Sequence, residues 1–506
     1  MKPLTRKSFI KWIITSGAAM ACPIPMSAFG AAVESKPAAG GKMGRLLESE
    51  SNAVCHQVRD GVALPAPAPS RTVDVVVVGS GPAGVGAADA LAGSDFLVLE
   101  KEPRVGGNAW AEDWNGLGYC TGSAWMSFFD QKITDWFKKW NLKPLPIDNF
   151  DSAYFDGKWI KGFWDSRADS PRIDELPYSD DVKKGFRDFL KQIDKIDLNK
   201  NKAKLDAMSF SDFIKGKPQQ LFDYWDQFGL SNWGAPTQHS SAYLAVQAAR
   251  DWVRDPRFTF EGGLGVVPKR VYDQFPEEMR RRFLLEAPVY KVKRSGKRAL
   301  VYFFHEGKPA CVEAKSVIFC APKLIASRVI EGLPEGQHKA MQQVRYAPYP
   351  VYNLCFTKRV MNVGYDSYFP NAKNVADVIQ ADWVTKRDGA KPNEPQVLTA
   401  YAPMRESERA DLLDDEETMA RAERAVKEIL ESLPGAEANL AEVRVFRRGH
   451  PMPMSYPGFY TKVQPQLRKD FSPIYFAHSD QAGEVSDLAF AVMAGVDAAQ
   501  KALKHV

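Results

Sequence analysis

Apolar and polar positions change their rhythm several times along this chain. Val73-Asp-Val-Val-Val-Val78 is a β-branched run closed by Gly79, the pattern of a strand buried on both faces of a parallel sheet. Residues 82–91 are small and alanine-rich, which predicts a helix lying close on that strand. Phe96-Leu-Val-Leu99 predicts the second strand of a βαβ unit. From 123 to 255 the chain is rich in Trp, Phe, Asp and Lys, with helical spacing over 180–196 and 209–228. Short strands are predicted at 283–285, 289–293, 299–305 and 316–320, then at 349–358 and 396–403. Residues 416–433 form an amphipathic helix pattern stopped by Pro434-Gly435. Ile474-Tyr-Phe-Ala477 predicts a last strand, and a helix follows from about 486 to 503. No internal repeat is present. A βαβ start, a mixed middle and a β-α finish predict an α/β fold whose first domain uses both ends of the chain.

The composition narrows the function classes. Apolar residues make up 45% and charged residues 25% of 506 positions, a globular balance that excludes wholesale disorder and fibrous repeats. Sixty-seven basic against 62 acidic residues leave a charge of +5, too little on a surface this large to predict a nucleic-acid partner. The six cysteines contain no C-x-x-C, so zinc ribbons, dithiol redox motifs and attached c-type haem lack their spacing. No metal site is expected.

The first 32 residues read as an export signal. Lys2, Arg6, Lys7 and Lys11 are a positive head, no acid precedes Glu34, and residues 12–32 are uncharged up to a small-x-small Ala28-Phe-Gly30. Thr5-Arg-Lys-Ser-Phe-Ile-Lys11 resembles the twin-arginine pattern with Lys7 for the second arginine; the general secretory route stays open. An uncleaved membrane anchor is the alternative, opposed by Gly17, Pro23 and Pro25. The expected location is the periplasm or the exterior. Residues 33–70, ending in Leu-Pro-Ala-Pro-Ala-Pro-Ser70, predict a semi-rigid linker.

Chemistry enters at Gly79-Ser-Gly81-Pro82-Ala83-Gly84, a G-x-G-x-x-G directly after a strand and opening a helix. The first glycine permits the tight turn, the second lets backbone approach a pyrophosphate, and the third lets helix pack on strand. Glu100 closes the second strand, where a carboxylate accepts hydrogen bonds from an adenosine ribose. One dinucleotide is therefore expected, and no second such turn exists for another.

The next residues bear on which dinucleotide. Glu100-Lys101-Glu-Pro-Arg104-Val-Gly106-Gly107-Asn108 resembles the E-x-x-x-R-x-G-G signature of the FAD-containing amine oxidase and phytoene desaturase superfamily. Ile474-Tyr-Phe-Ala-His-Ser-Asp480-Gln-Ala-Gly483 is similar to that superfamily's closing strand, and Val317-Ile-Phe-Cys-Ala321-Pro322 to a segment bordering its flavin. The resemblance implies FAD as cofactor and a Rossmann-type FAD-binding domain interleaved with a mixed-sheet plus helical substrate domain. The FAD-binding domain would take 71–122, 256–340 and 441–506, and the substrate domain 123–255 and 341–440. By resemblance, Gly79, Gly81, Pro82, Ala83 and Gly84 hold the pyrophosphate. Glu100 and Lys101 lie at the ribose, and Val289 at the adenine. Arg104, Gly106, Gly107 and Asn108 serve the phosphates and ribityl chain. Ala321, Asp480 and Val485 lie along the flavin, and the last helix aims its N-terminus at the ring.

His56-Gln-Val-Arg-Asp-Gly61 and Arg448-Gly-His450-Pro-Met-Pro453 resemble segments of bacterial spermidine-dehydrogenase-like flavoproteins. That branch implies hydride transfer to the flavin N5 from a carbon next to nitrogen. His450 and Tyr460 are the catalytic candidates, and Tyr456 with Tyr460 an aromatic wall. For His450 a structural role is equally open, and for the tyrosines the alternative is core packing. Trp233, His239 and Tyr243 form a further group in the substrate region, or else belong to the core or surface. Asp223, Asp226, Asp251 and Asp255 are candidates to attract a polyamine, or else belong to a solvated face balanced by Arg250 and Arg254. Many amine oxidases carry a lysine near N5 in the strand resembling 349–356, and this chain has none there. The resemblance thus favours a dehydrogenase over an oxidase, with a periplasmic cytochrome or quinone as electron acceptor. The alternatives are a desaturase or isomerase of an apolar polyene, and a non-catalytic flavoprotein partner.

Overall fold

The computed structural model describes residues 43–47 and 52–506, apart from 128–129, 148–149, 166–167, 169, 253–255, 387–389 and 483–485. The expected leader 1–32 and the candidate Val485 lie outside the described residues.

Two eight-stranded sheets organise the chain. In the first, the order is Phe283–Leu284, Phe96–Leu99, Thr72–Val78, Lys308–Phe319, Arg298–His305, Val289–Ser295, Ile330–Glu331, with Ile474–Phe476 also paired to Lys308–Phe319. The β-branched run sits at its centre, with Val75, Val76 and Val77 fully buried. It pairs in parallel with Phe96–Leu99 on one side and with Lys308–Phe319 on the other. The 12-residue strand Lys308–Phe319 does two jobs. Its first half runs antiparallel to Arg298–His305, and its last residues pair in parallel with both Thr72–Val78 and Ile474–Phe476. The end of the chain is thereby sewn beside its beginning. Helix Pro82–Ala90 packs so closely on its strand that a Cβ on Gly84 would lie 1.9 Å from the Gly79 carbonyl oxygen; only glycine satisfies that approach.

The second sheet has the order Met43–Leu47, Leu440–Phe446, Val351–Phe356, Gln396–Tyr401, Asp377–Gln380, Asp366–Tyr368, Phe150–Phe155, Lys158–Asp165. One face is covered by helix Asp415–Glu431, whose Ala422, Ala425, Val426 and Ile429 join Leu354, Val378, Ala400 and Val445 in one apolar cluster. Alternation then turns Val351, Asp377, Ile379 and Tyr401 to the opposite face, where they meet the site described below. A helical layer, including Asp180–Asp194, Gln219–Trp233 and Ala242–Asp251, completes this half.

Three expectations change. The helix expected over 209–228 is two, Phe210–Phe213 and Gln219–Trp233, because Gly216 takes φ +83° and Pro218 cannot donate to a continuing helix. The segment expected as a linker is partly folded. Met43–Leu47 adds a parallel strand to Leu440–Phe446, and Ala53–Arg59 is a helix. Val54, Val58 and Leu64 pack against Tyr290, Tyr302 and Cys311, and the Tyr290 hydroxyl donates to the Pro65 carbonyl at 2.7 Å. Strand Leu440–Phe446 belongs to the second sheet, so the segment assigned to the cofactor half from 441 onward begins in the substrate half.

Candidate active site

Residues of both sheets wall one cavity of about 1200 Å³, above the usual few hundred to about 1,000 Å³ of a pocket for a single small ligand. Gly79, Gly81, Pro82, Ala83, Glu100, Lys101, Arg104, Gly107, Asn108, Val289 and Ala321 all line it. Gly84 and Gly106 stand one layer behind. Gly84 lets the helix reach the strand, and the Gly106 N–H donates to the Ser80 carbonyl at 2.9 Å. That bond clamps the Arg104–Gly107 loop onto the glycine-rich turn. A Cβ on Gly107 would come within 3.2 Å of the Gly81 Cα. The two loops thus form a side-chain-free cradle at the N-terminus of helix Pro82–Ala90, where N–H groups and the helix dipole favour phosphate.

Glu100 is 4% exposed. It accepts from the Ser80 N–H and hydroxyl, each at 2.7 Å, and from the Glu102 N–H at 2.9 Å. Those bonds aim the carboxylate at the cavity and leave lone pairs for ribose hydroxyls. Lys101 bonds Glu102 and reaches the Asn52 side chain at 3.4 Å. Arg104 donates to the Gly107 carbonyl at 3.1 Å and stacks 3.8 Å from the Trp110 ring centre. A dinucleotide fits this donor set.

Asp480 departs from its expected place. It stands behind the cavity wall, 2% exposed. It accepts from the Lys323 N–H at 2.8 Å, the Lys323 ammonium at 3.1 Å and the Tyr346 hydroxyl at 2.6 Å, with His478 Nδ1 3.0 Å away. Burial opposes its charge, but His478 and Lys323 together hold its carboxyl well below the usual range. The adjacent His478 and Ser479 face the cavity instead. Asp480 therefore fixes the wall from behind. His450 lines the cavity, its ring 6.3 Å from that of Tyr346.

Tyr460 is likewise corrected. It is buried outside the cavity wall, where its hydroxyl donates to Ser455 Oγ at 2.7 Å and its ring packs edge-on against Tyr243 at 5.3 Å. Of the other expected groups, Trp233 lines the cavity, whereas Tyr456, Tyr243 and His239 do not. Asp223 is exposed and bonded by Gln219, and Asp226 accepts from Thr237. Asp255 and the side chain of Asp251 are outside the described residues.

The far wall is made by residues that sequence reasoning passed over. Trp125, Trp252, Tyr349 and Tyr401 supply aromatic surface, and Asp366 and Asp377 supply carboxyl groups. The Tyr349 hydroxyl is bonded to Ser231, and that of Tyr401 donates to the Gly122 carbonyl at 2.6 Å. Asp366 and Asp377 lie on adjacent antiparallel strands, with Asp377 opposite Tyr368 and Asp366 opposite Ile379. They therefore share one face as diagonal neighbours. Burial raises the carboxyl of Asp366 well above the usual range, and the negative charges of Asp377 and Asp151 add to the rise. Burial likewise pushes Asp377 up to about 7. Asp151 is paired with Arg257 at 2.5 Å, and that guanidinium lies over the rings of Trp252 and Trp125 at 4.8 and 5.1 Å. Asp366 and Asp377 occur in strands of three and four residues. The only sequence signal for them was an acid inside an otherwise apolar run.

A family model described as flavin containing amine oxidoreductase matches residues 82–503. The chain belongs to this family. FAD is thus the cofactor, and the cradle, Glu100 and Val289, which line the cavity, are the residues that would hold its diphosphate and adenosine. Solved amine oxidoreductases share the fold. A putrescine oxidase superposes with a TM-score of 0.65 over 86% of this chain and 100% of its own at 21% identity, and cyclohexylamine oxidase from Brevibacterium oxydans with 0.65 over 86% and 99% at 17%. In sequence, the L-amino acid dehydrogenase of a Synechocystis species is 24% identical over 62% of this chain and 67% of its own length. Oxidoreductase PigB of a Serratia species is 23% identical over 51% of this chain, and the chain spans only 40% of its length.

Proposed function

We propose that this amine oxidoreductase is an exported dehydrogenase that takes a hydride from the carbon next to a substrate nitrogen. One observation carries the amine reading: the cavity that holds the dinucleotide cradle is also walled by a pair of buried carboxylates, Asp366 and Asp377. An apolar polyene would bring neither a donor to Asp366 Oδ1, unpartnered among the described residues, nor a counter-charge to the pair, so this wall opposes the desaturase alternative. When bound, FAD supplies the two-electron acceptor at its ring. The chain's own residues do the rest. Trp125, Trp233, Tyr349 and Tyr401 exclude water and orient the carbon chain. Tyr349 and Tyr401, kept neutral by burial, hold the wall through their hydrogen bonds. His450, which lines the wall together with His478, is the candidate to pass a proton to solvent.

The dehydrogenase reading rests on strand Val351–Phe356, which carries no lysine although Val351 faces the cavity. The electron acceptor is then a periplasmic cytochrome or quinone. Export rests on the pattern of residues 1–32. Among the described residues, no helix is long and apolar enough to cross a membrane. The test is to reduce the enzyme anaerobically with amines, amino acids and polyenes, then admit air or a quinone. Reduction by amines and fast reoxidation only by the quinone are expected. Reduction by polyenes alone, or fast reoxidation by air, overturns the respective part. Export is checked by fractionating cells and sequencing the mature N-terminus; an intact leader in the cytosol overturns it.

A further inference from the structure

We propose that Asp366 and Asp377 form a subsite for a substrate ammonium group other than the nitrogen being oxidised, so that the enzyme prefers diamines or polyamines. The inference rests on the amine reading above and names its substrate class. Its starting point is a charge imbalance. Three carboxylates, Asp151, Asp366 and Asp377, face one guanidinium, Arg257, in a region where each is less than 5% exposed. Arg257 is committed to Asp151 in a fully buried ion pair. The other two acids are left to one another. Asp377 accepts from the Ser231 hydroxyl, and Asp366 Oδ2 accepts from the Tyr368 hydroxyl at 3.1 Å. Asp366 Oδ1 has no hydrogen-bond partner among the described residues, and Asp366 lines the cavity.

A buried carboxylate oxygen without a donor is costly and is normally satisfied by a proton or a cation. An empty site meets the demand by sharing a proton between the two acids, as closely placed carboxyl groups do. A ligand ammonium brings three N–H donors and a positive charge to the same place. The pair is not arranged for a metal: among the described residues no group of three or more His, Cys, Asp or Glu is placed to hold an ion. An amino-acid carboxylate is also ill suited to this end of the cavity, because Arg257 is already neutralised and the local charge is negative.

Chemistry then separates the two nitrogens. A carbon gives up a hydride readily only when its nitrogen has a lone pair to share, so the reacting amine is neutral. Carboxylates do the opposite and hold the nitrogen beside them protonated. A nitrogen at Asp366 and Asp377 is therefore a recognition group, and the reacting nitrogen lies elsewhere, along the aromatic wall. Recognition also depends on pH. Asp151, Arg257, Tyr349, Tyr365 and Tyr368 surround the pair; burial raises the carboxyls of Asp366 and Asp377, the latter to about 7, so the pair gains negative charge as pH rises. Affinity for a diammonium ligand rises as the pair loses its shared proton.

The test compares a short straight-chain diamine, the monoamine of equal length and the neutral diol. Each is bound to the FAD-loaded enzyme under anaerobic conditions and followed by calorimetry and by flavin bleaching. The expected result is a diamine affinity roughly 10- to 100-fold above that of the monoamine. That advantage should weaken from about pH 8 to about pH 5 in the unmodified enzyme, and should be lost in Asp366→Asn with flavin content and melting temperature retained. If Asp366→Asn does not fold, the pH series on the unmodified enzyme decides. Equal affinity of diamine and monoamine at every pH, with amines still bleaching the flavin, overturns the subsite and leaves the amine reading standing. No bleaching by any amine overturns both.

Discussion

Gly495 and Ala83 lie 412 positions apart in the chain, yet a Cβ on Gly495 would sit 1.9 Å from the Ala83 carbonyl oxygen. The last helix, Leu488–Leu503, is pressed on the helix that follows the glycine-rich turn, backbone against side-chain-free backbone. That contact brings the helix N-terminus, with Asp487, Leu488 and Phe490, to the cavity wall. Gly495→Ala is expected to force the helices apart, costing about 1–3 kcal/mol or more, and to lower flavin occupancy. Thermal unfolding and the flavin-to-protein absorbance ratio read both.

Glu100 has two duties, and one substitution separates them. Its carboxylate anchors the Ser80 N–H and hydroxyl and the Glu102 N–H while facing the cavity. Glu100→Gln keeps the shape but replaces one acceptor oxygen with an amide donor that faces other donors. FAD binding is expected to weaken by roughly 10-fold or more, with a smaller loss of thermal stability. Fluorescence titration of the apoprotein with FAD checks it; an unchanged dissociation constant contradicts the assignment.

Much of this was legible in the sequence because its signals are local. A β-branched run, three glycines and an acid after the next strand specify a βαβ turn without any distant contact, and the structure lines the cavity with Val78, Gly79, Gly81 and Glu100. The same logic fails where function depends on pairing. Asp366 and Asp377 meet only because two short strands run antiparallel in the middle of the second sheet. Neither has a motif around it. Tyr460 misled for the opposite reason, since its neighbours resemble a cofactor-side segment while its ring is turned into the helical layer against Tyr243. Asp480 has the expected residue type near the expected place, but Lys323 and Tyr346 take up its oxygens, a competition that sequence spacing does not display.

Asp480 predicts an acid limb. Its carboxyl is held below its unfolded value, so its contribution to stability is complete above about pH 4 and fades as pH falls further. Asp480→Asn leaves the Lys323 ammonium buried without its counter-charge, and a loss of about 3–5 kcal/mol is expected. Denaturant melts across acidic pH read both; a variant as stable as the parent contradicts the role of Asp480 in fixing the wall.

Asp377 predicts a limb of opposite sign. Its carboxyl is raised from 3.8 to about 7, so in that interval the folded chain keeps a proton the unfolded chain has released. Stability of the ligand-free enzyme is therefore expected to fall as pH climbs through the interval, by a few kcal/mol at most. Asp377→Asn should flatten that slope, and a saturating diamine should reverse it. Melting temperature against pH, with and without diamine, is the check.

The most direct measurement is the absorbance spectrum of the purified protein as a diamine is added without oxygen. A yellow protein carrying about one FAD per chain, whose flavin bands bleach on addition of the diamine, is the predicted result. A colourless protein that takes up no added FAD, or bound flavin that stays oxidised with every amine, would contradict the account.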